Sequence, residues 1–330
     1  MKYFVKRHEH IFEPEAFFPK CHASTIEILP SGDIVAAWFA GSHEGAADVE
    51  IWLAIRHNDA WSAPQVVASG NGIPCWNPVL LESNGVLTLF YKVGKEIPTW
   101  QTMYKTSADG GHTWSDAKEL VPGDVGGRGP VKNKCLRLHN GAILAPSSWE
   151  SETQWECFMD VSTDGGRTWQ PTADVPRSRD DFTGKGMIQP TLWQDDDGVV
   201  HMLARSTEGA IFASKSLDDG YTWETAWKTD LPNNNCGIDV ARLDDGRLVL
   251  VYNPVAGNWA ARSPIAFAVS CDNGNSWSAP QILDHVPCDP KVNIEATEFS
   301  YPAVLARGND VFITYTWKRQ TLAFWHIAVM

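Results

Sequence analysis

Ser107-Ala-Asp109-Gly-Gly111-His-Thr113-Trp114 is written four times in this chain. It returns as Ser162-Thr-Asp164-Gly-Gly166-Arg-Thr168-Trp169, as Ser216-Leu-Asp218-Asp-Gly220-Tyr-Thr222-Trp223 and as Ser270-Cys-Asp272-Asn-Gly274-Asn-Ser276-Trp277. The four tryptophans stand 55, 54 and 54 residues apart, and a fifth, Trp61, lies 53 residues before the first in a worn copy, Asn58-Asp59-Ala60-Trp61. A fixed period of this length marks copies of one supersecondary unit, stacked or arranged radially. The spelling has a physical reason. The Asp carboxylate accepts hydrogen bonds from backbone N–H groups just ahead of it, and Gly supplies the positive φ of a tight turn. The Ser and Thr hydroxyls tie off the turn, and the Trp offers a large apolar face to a neighbouring unit. The Asp-x-Asp-x-Asp spacing of a calcium loop is absent. The four aspartates are therefore expected to be hairpin staples, and no metal or cofactor is expected.

Six units of this period account for all 330 residues, which argues for one six-unit ring over residues 1–330 rather than the two domains that length alone would allow. A net charge of −13 argues against nucleic acid or an anionic membrane surface as partner, since both call for a basic face. The opening Met1-Lys-Tyr-Phe-Val-Lys-Arg-His-Glu-His has no apolar core of a signal peptide, and no long apolar run suggests a membrane span. Seven cysteines without a C-x-x-C pair read as reduced thiols. A cytoplasmic location is the expectation from these features, unless a leader has been removed.

A second series of turns, Ser31-Gly32, Asn84-Gly85, Asn140-Gly141, Asp197-Gly198, Asp245-Gly246 and Arg307-Gly308, separates pairs of strand-like runs. Thr25–Leu29 with Ile34–Phe39 is one such pair, and Val240–Leu243 with Leu248–Tyr252 another. No helix-period segment of useful length appears. The fold class predicted is all-β, a six-bladed β-propeller, in which the segment from Tyr3 to Phe12 supplies the strand that closes the ring and removes exposed sheet edges.

Alignment of the six turns picks out polar residues where strands should stay apolar. Seven residues after each glycine come Phe39, Lys92, Ser148, Arg205, Asn253 and Tyr315. The strands leading into the turns begin with His22, with Trp76 and Asn77, with Lys132 and Lys134, with Gln189, with Asp239, and with Glu298 and Tyr301. Loops beyond the second strands add Glu44, Asp48, Trp100, Glu150, Arg262 and Arg319. A polar group at a strand end breaks a local rule, and such breaks concentrate at functional sites. Gathered at one mouth of a ring, Lys92, Lys132, Lys134, Arg205, Arg262 and Arg319 would attract an anionic group, above all a carboxylate. Trp76 and Trp100 offer stacking faces for a sugar.

The repeated S-x-D-x-G-x-T-W pattern resembles the Asp box of the sialidase (neuraminidase) superfamily, and with the worn copy it covers about residues 50–280. The W-N-P, K-N-K, Q-P, N-x-G-I-D and S-Y-P segments at 76–78, 132–134, 189–190, 235–239 and 300–302 look closer still to sialidase-like BNR-repeat proteins. The resemblance implies a propeller with carbohydrate-active members. Their arginine triad does not carry over whole: Phe18-Pro19-Lys20-Cys21-His22 lacks the first arginine, Asn253 occupies the second position, and Arg262 matches the third. The family glutamate falls on Gly237, Tyr301 with Glu298 stands near the family tyrosine, and Glu44 and Asp48 are candidates for the loop acid. The expected function is that of an exo-acting, sialidase-like glycoside hydrolase on an oligosaccharide carrying a carboxylated sugar. His22, Glu44, Asp48, Glu298 and Tyr301 are its candidate catalytic groups. Two alternatives stay open: elimination at a uronate, for which His22, Tyr301 and the cations are suited, and a glycan-binding propeller without catalysis.

Overall fold

The computed structural model describes residues 2–287 and 294–330, and in them six antiparallel sheets stand as the blades of a β-propeller. Each blade is a meander whose first strand faces the central channel. Blade 1 runs through Lys20–Ile28, Ile34–Gly41 and Glu50–His57, blade 2 through Cys75–Ser83, Val86–Val93, Gln101–Ser107 and Lys118–Glu119. Blade 3 comprises Leu136–Arg137, Ile143–Glu150, Trp155–Ser162 and Gln170–Pro171, and blade 4 Met187–Gln194, Val200–Ser206, Ala210–Ser216 and Trp227–Pro232. Blade 5 comprises Asp239–Arg242, Leu248–Tyr252, Ile265–Ser270 and Gln281–Asp284. Blade 6 takes Phe299–Arg307, Asp310–Trp317 and Thr321–Val329, and its outer strand is Tyr3–His10 from the start of the chain, paired antiparallel from Tyr3 opposite Val329 to His10 opposite Ala323. The chain's two ends thus share one blade, the closure anticipated above.

Middle strands are packed on both faces by neighbouring blades, so they read as continuous apolar runs rather than alternating ones. Leu248–Tyr252 is buried throughout, as is Ile34–Ala40. The core is accordingly a set of layers between blades, such as the one joining Leu53 and Val35 of blade 1 to Leu87 and Leu89 of blade 2. All six turn glycines adopt positive φ, from +61° at Gly308 to +90° at Gly32, where only glycine is unstrained.

The Asp boxes are staples, as their spelling predicts. Asp164 Oδ1 accepts from Ser162 Oγ at 2.9 Å and Thr168 N at 2.9 Å, while Oδ2 accepts from Thr168 Oγ1 at 2.7 Å. The indole N–H of Trp169 donates to Gly166 O at 3.0 Å and fixes the ring against the preceding blade, edge-on to Phe90 with centroids 5.9 Å apart. Trp114, Trp223 and Trp277 occupy the matching wedges between blades 1 and 2, 3 and 4, and 4 and 5. In the worn copy Asn58 and Asp59 both adopt positive φ and make a two-residue turn instead, and the outer strand of blade 1 is split into Ala60–Trp61 and Gln65–Ala68. Trp61 keeps the wedge position, edge-on to Phe324 of blade 6 at 5.3 Å. Asp109 lines a surface recess with Ser31, Asp33 and Gly85, so this Asp box lies on the face of the first-hairpin turns.

Six described cysteines are free thiols; the seventh, Cys288, lies outside the described residues. Among the described residues no helix is long and apolar enough to cross a membrane. Removing a buried aromatic that wedges two blades leaves a cavity. Trp169→Ala is therefore expected to lower the unfolding free energy by about 3–5 kcal/mol in denaturant titrations. A change of under about 0.5 kcal/mol, the size of a surface substitution, would contradict this packing.

Candidate active site

The innermost strands of blades 1, 2, 4 and 6 share a local device. Each carries a bulge where its pairing with the second strand slips, between His22 and Thr25, Trp76 and Val79, Ile188 and Thr191, and Ser300 and Ala303. A bulge re-aims side chains. One residue in each bulge is left-handed: Ala23 (φ 58°), Asn77 (29°), Gln189 (55°) and Tyr301 (52°). In three of the four it precedes a proline, the recurring N-P, Q-P and Y-P spelling. Strain of this kind costs about 1–3 kcal/mol per residue and clusters at functional sites. Here it places Asn77, Gln189 and Tyr301 on the wall of one cavity, of 230 Å³, on the face away from the hairpin turns.

That cavity brings together much of the polar set expected from sequence: His22, Glu44, Trp76 with Asn77, Glu150, Gln189, Arg205, Arg262, Tyr301 and Arg319, along with Trp100. Just behind its wall lies Glu298, 1% exposed. Its carboxylate accepts from Arg262 Nη1 at 2.6 Å, Arg319 Nε at 2.9 Å and Ser300 Oγ. Burial alone would raise this carboxyl, but the two guanidinium charges and these hydrogen bonds overcome it and hold it at about 2. Arg319 also donates from Nη1 to Glu44 at 2.6 Å. Burial pushes His22 well below its ordinary range, and Arg319, Arg262, Lys132 and Arg205 act in the same direction, so the imidazole is neutral. Its Nδ1 lies 2.9 Å from Thr316 Oγ1, and its ring centroid 4.2 Å from that of Tyr301.

Arg205, at 1% exposure, spends its whole donor set on the protein. Nε and Nη2 donate to Asn235 Oδ1 at 3.0 and 2.8 Å, Nη2 also to Asn235 O, and Nη1 to Gln189 Oε1 at 3.1 Å and Tyr301 Oη at 2.7 Å. A guanidinium has five N–H donors, and all five are engaged. Arg205 therefore orients Tyr301 rather than gripping a ligand. Its Cζ lies 5.7–5.8 Å from the ring centroids of Tyr301, Trp155 and Trp259. Glu150 is different. It is last in its strand and opposite Trp155, and its carboxyl makes no hydrogen bond or ion pair among the described residues. Burial raises its pKa despite the opposing charges of Arg205 and Lys185.

Several expected ligand groups are elsewhere. Lys92 is fully buried behind Trp100, donating to Thr102 Oγ1 and Arg128 O, both at 2.7 Å, and burial lowers it to about 7. Lys132, lowered by burial to about 8, donates to the carbonyls of Ile238 and Pro302. Lys134 pairs with Asp239 at 2.8 Å away from the cavity, and Asp239 also accepts from Val304 N. Asn253 ties the carbonyls of Pro264 and Phe299. Asp48 is not on the wall; it braces its own loop by accepting from Ser42 N and Oγ. The expectation of six cations at one mouth is thus corrected to three: the lysines answer backbone carbonyls and Asp239, which low-dielectric surroundings demand be paired. Sequence reading also passed over Trp155, Trp259, Ile97 and Ile188 on the wall. Trp259 carried a signal, a lone tryptophan in the Gly257-Asn258-Trp259 loop, and it is 59% exposed. Among the described residues no group of three or more His, Cys, Asp or Glu could hold a metal ion.

A model of the BNR repeat-like domain matches residues 32–313. The chain belongs to this family. It is similar to Sialidase-2 of Mus musculus, 24% identical over 227 residues; the match covers 62% of this chain and about half, 53%, of that relative's length. Among solved structures it resembles a Hadza microbial sialidase (TM-score 0.79, 14% identity, 97% of this chain and 68% of that one). It also resembles a Dyadobacter fermentans protein of unknown function (TM-score 0.74, 15% identity, 99% of both chains). At such identities these structures speak to the fold. The chain is a sialidase-like BNR propeller. Gly237, the position of the family glutamate, lies under Tyr301: a Cβ there would meet Tyr301 Cγ at 3.4 Å and Lys132 Cε at 3.2 Å.

Glu298 makes stability pH-dependent. Its folded value lies below the ordinary 4.5, so its contribution is fully present above about 4.5 and is lost as pH falls toward about 2. Removing one partner of a buried ion cluster costs about 3–5 kcal/mol. Glu298→Gln should be destabilised by that amount at neutral pH, and its gap to wild type in unfolding titrations should close over the same interval. A gap constant with pH would contradict the assignment.

Proposed function

We propose that this propeller is a glycoside hydrolase acting on an oligosaccharide that ends in a carboxylated sugar. One observation carries the reading: the cavity wall combines cations with spare donors, carboxyl groups and aromatic faces. Three guanidinium groups (Arg205, Arg262 and Arg319) stand against two carboxylates paired with them, Glu44 and Glu298. Burial pushes the remaining carboxyl, Glu150, toward its uncharged form, and with Glu150 protonated the guanidinium charges are in excess; in a partly enclosed cavity such a charge attracts an anion more strongly than in bulk solvent. Arg262 uses only Nη1, on Glu298, so its remaining N–H groups are available to a sugar carboxylate. Trp76, Trp100, Trp155 and Trp259 supply apolar faces for sugar rings. Tyr301, held by Arg205, presents an oxygen to the positive charge that develops at the anomeric carbon when a glycosidic bond breaks.

The reading is tested by incubating the protein with oligosaccharides capped by sialic acid or by a uronic acid, following released sugar and the ultraviolet absorbance of an unsaturated uronate. Release of the acidic sugar without that absorbance is expected, and Tyr301→Phe should lower kcat about 10²–10³-fold. Growth of the absorbance would replace hydrolysis by elimination, for which neutral His22 is a base. Binding without turnover would make the protein a lectin.

A further inference from the structure

The cavity holds two carboxyl groups on its wall and one behind it, and their surroundings set them apart. Glu298 is saturated by Arg262, Arg319 and Ser300, and Glu44 is committed to Arg319. Glu150 has no such partner among the described residues. It ends the second strand of blade 3, where it pairs across the hairpin with Trp155, and the short connection is braced by Ser151, which donates to and accepts from Gln154. Its placement is therefore set by a strand rather than by a loose loop. Blade 3 faces blade 6 across a ring of six, so Glu150 and Tyr301 approach the cavity from opposite sides.

We propose that Glu150 donates the proton to the departing oxygen of the glycosidic bond, an assignment that rests on the hydrolase reading above. As the bond to the anomeric carbon breaks, its electron pair goes to the glycosidic oxygen, which takes the Glu150 proton, and the remainder of the glycan leaves as an alcohol. Water then bonds to the anomeric carbon and returns one of its protons to Glu150. The sum is glycoside plus water giving two free sugars, with the enzyme restored. A carboxyl that must donate has to be protonated when substrate binds, and burial favours that form here. The charged groups facing it, Arg205 and Lys185, oppose burial without cancelling it. A substrate carboxylate bound nearby on Arg262 would push Glu150 further toward the protonated form. The role differs from that expected of Glu44 or Asp48, the former ion-paired and the latter occupied by Ser42.

The experiment compares wild type and Glu150→Gln on two glycosides of whichever acidic sugar the wild type releases: the natural oligosaccharide and the methylumbelliferyl glycoside. A phenolic leaving group departs without protonation, whereas a sugar alcohol does not. Glu150→Gln should lose about 10²–10⁴-fold in kcat on the oligosaccharide and less than about 10-fold on the methylumbelliferyl glycoside. The wild-type fall in kcat/KM with rising pH should vanish in the variant. Equal losses on both substrates, or an unchanged pH profile, would reduce Glu150 to a positioning residue and overturn the assignment. Near wild-type turnover of the oligosaccharide would overturn it as well. A wild type that releases neither sugar would instead sink the hydrolase reading, and this assignment with it. Melting curves of the two proteins separate any of these results from misfolding.

Discussion

The innermost strand of a propeller blade has a partner on one side only. Its other edge carries N–H and C=O groups that face the channel and the next blade, where water is scarce and an unpaired group is costly. This chain answers the problem blade by blade with side chains. Leu80 N donates to Thr25 Oγ1, Val240 N to Thr191 Oγ1, Val304 N to Asp239 Oδ2 and Ala23 N to Thr316 Oγ1, each bond joining neighbouring blades. Carbonyls are met in the same way: Val131 by Asn77, Gln189 and Pro190 by Asn133, Phe299 by Asn253, and Ile238 and Pro302 by Lys132. The central channel is thus polar for structural reasons before it is polar for any ligand.

Function is built from what this accounting leaves over. Four inner strands slip by a bulge, and three of the bulged residues, Asn77, Gln189 and Tyr301, reach the cavity. Arg205 has no donor to spare and serves Tyr301, while Arg262 and Arg319, anchored by Glu298, retain N–H groups at the wall. Glu298 is the keystone of that arrangement, since its buried charge keeps two guanidinium groups in place. The Glu150 carboxyl has no hydrogen-bond or ion-pair partner among the described residues, which is what sets it apart from Glu44 and Glu298.

The same accounting explains what the sequence could and could not reveal. The fold was legible because the signals repeat: Asp164 with Thr168 and Trp169 spells a local turn whose bonds lie within a few residues. The glycines at 32, 85, 141, 198, 246 and 308 each mark a turn of positive φ, a backbone that glycine adopts most readily. The polar ring was legible as a ring, but not in its division of labour. Lys92, Lys132, Lys134, Asp239 and Asn253 look in sequence like Arg262 and Glu150, and only their partners in space separate the two groups. Trp155 escaped notice because a tryptophan opening a strand reads as core.

At 24% identity to Sialidase-2, and with Gly237 and Asn253 where the resemblance expects a glutamate and an arginine, the substrate has to be argued from this site. Tyr301 and Lys132 pack directly on Gly237, so the place of the family glutamate is already filled by their side chains. In the proposed function, the cations with spare donors take a sugar carboxylate. The most direct measurement is a crystal structure of the protein soaked with the free acidic sugar. The carboxylate is expected within hydrogen-bond distance of Arg262, with the ring between Tyr301 and Glu150. A sugar bound elsewhere, or with its carboxylate turned away from Arg262 and Arg319, would contradict the account.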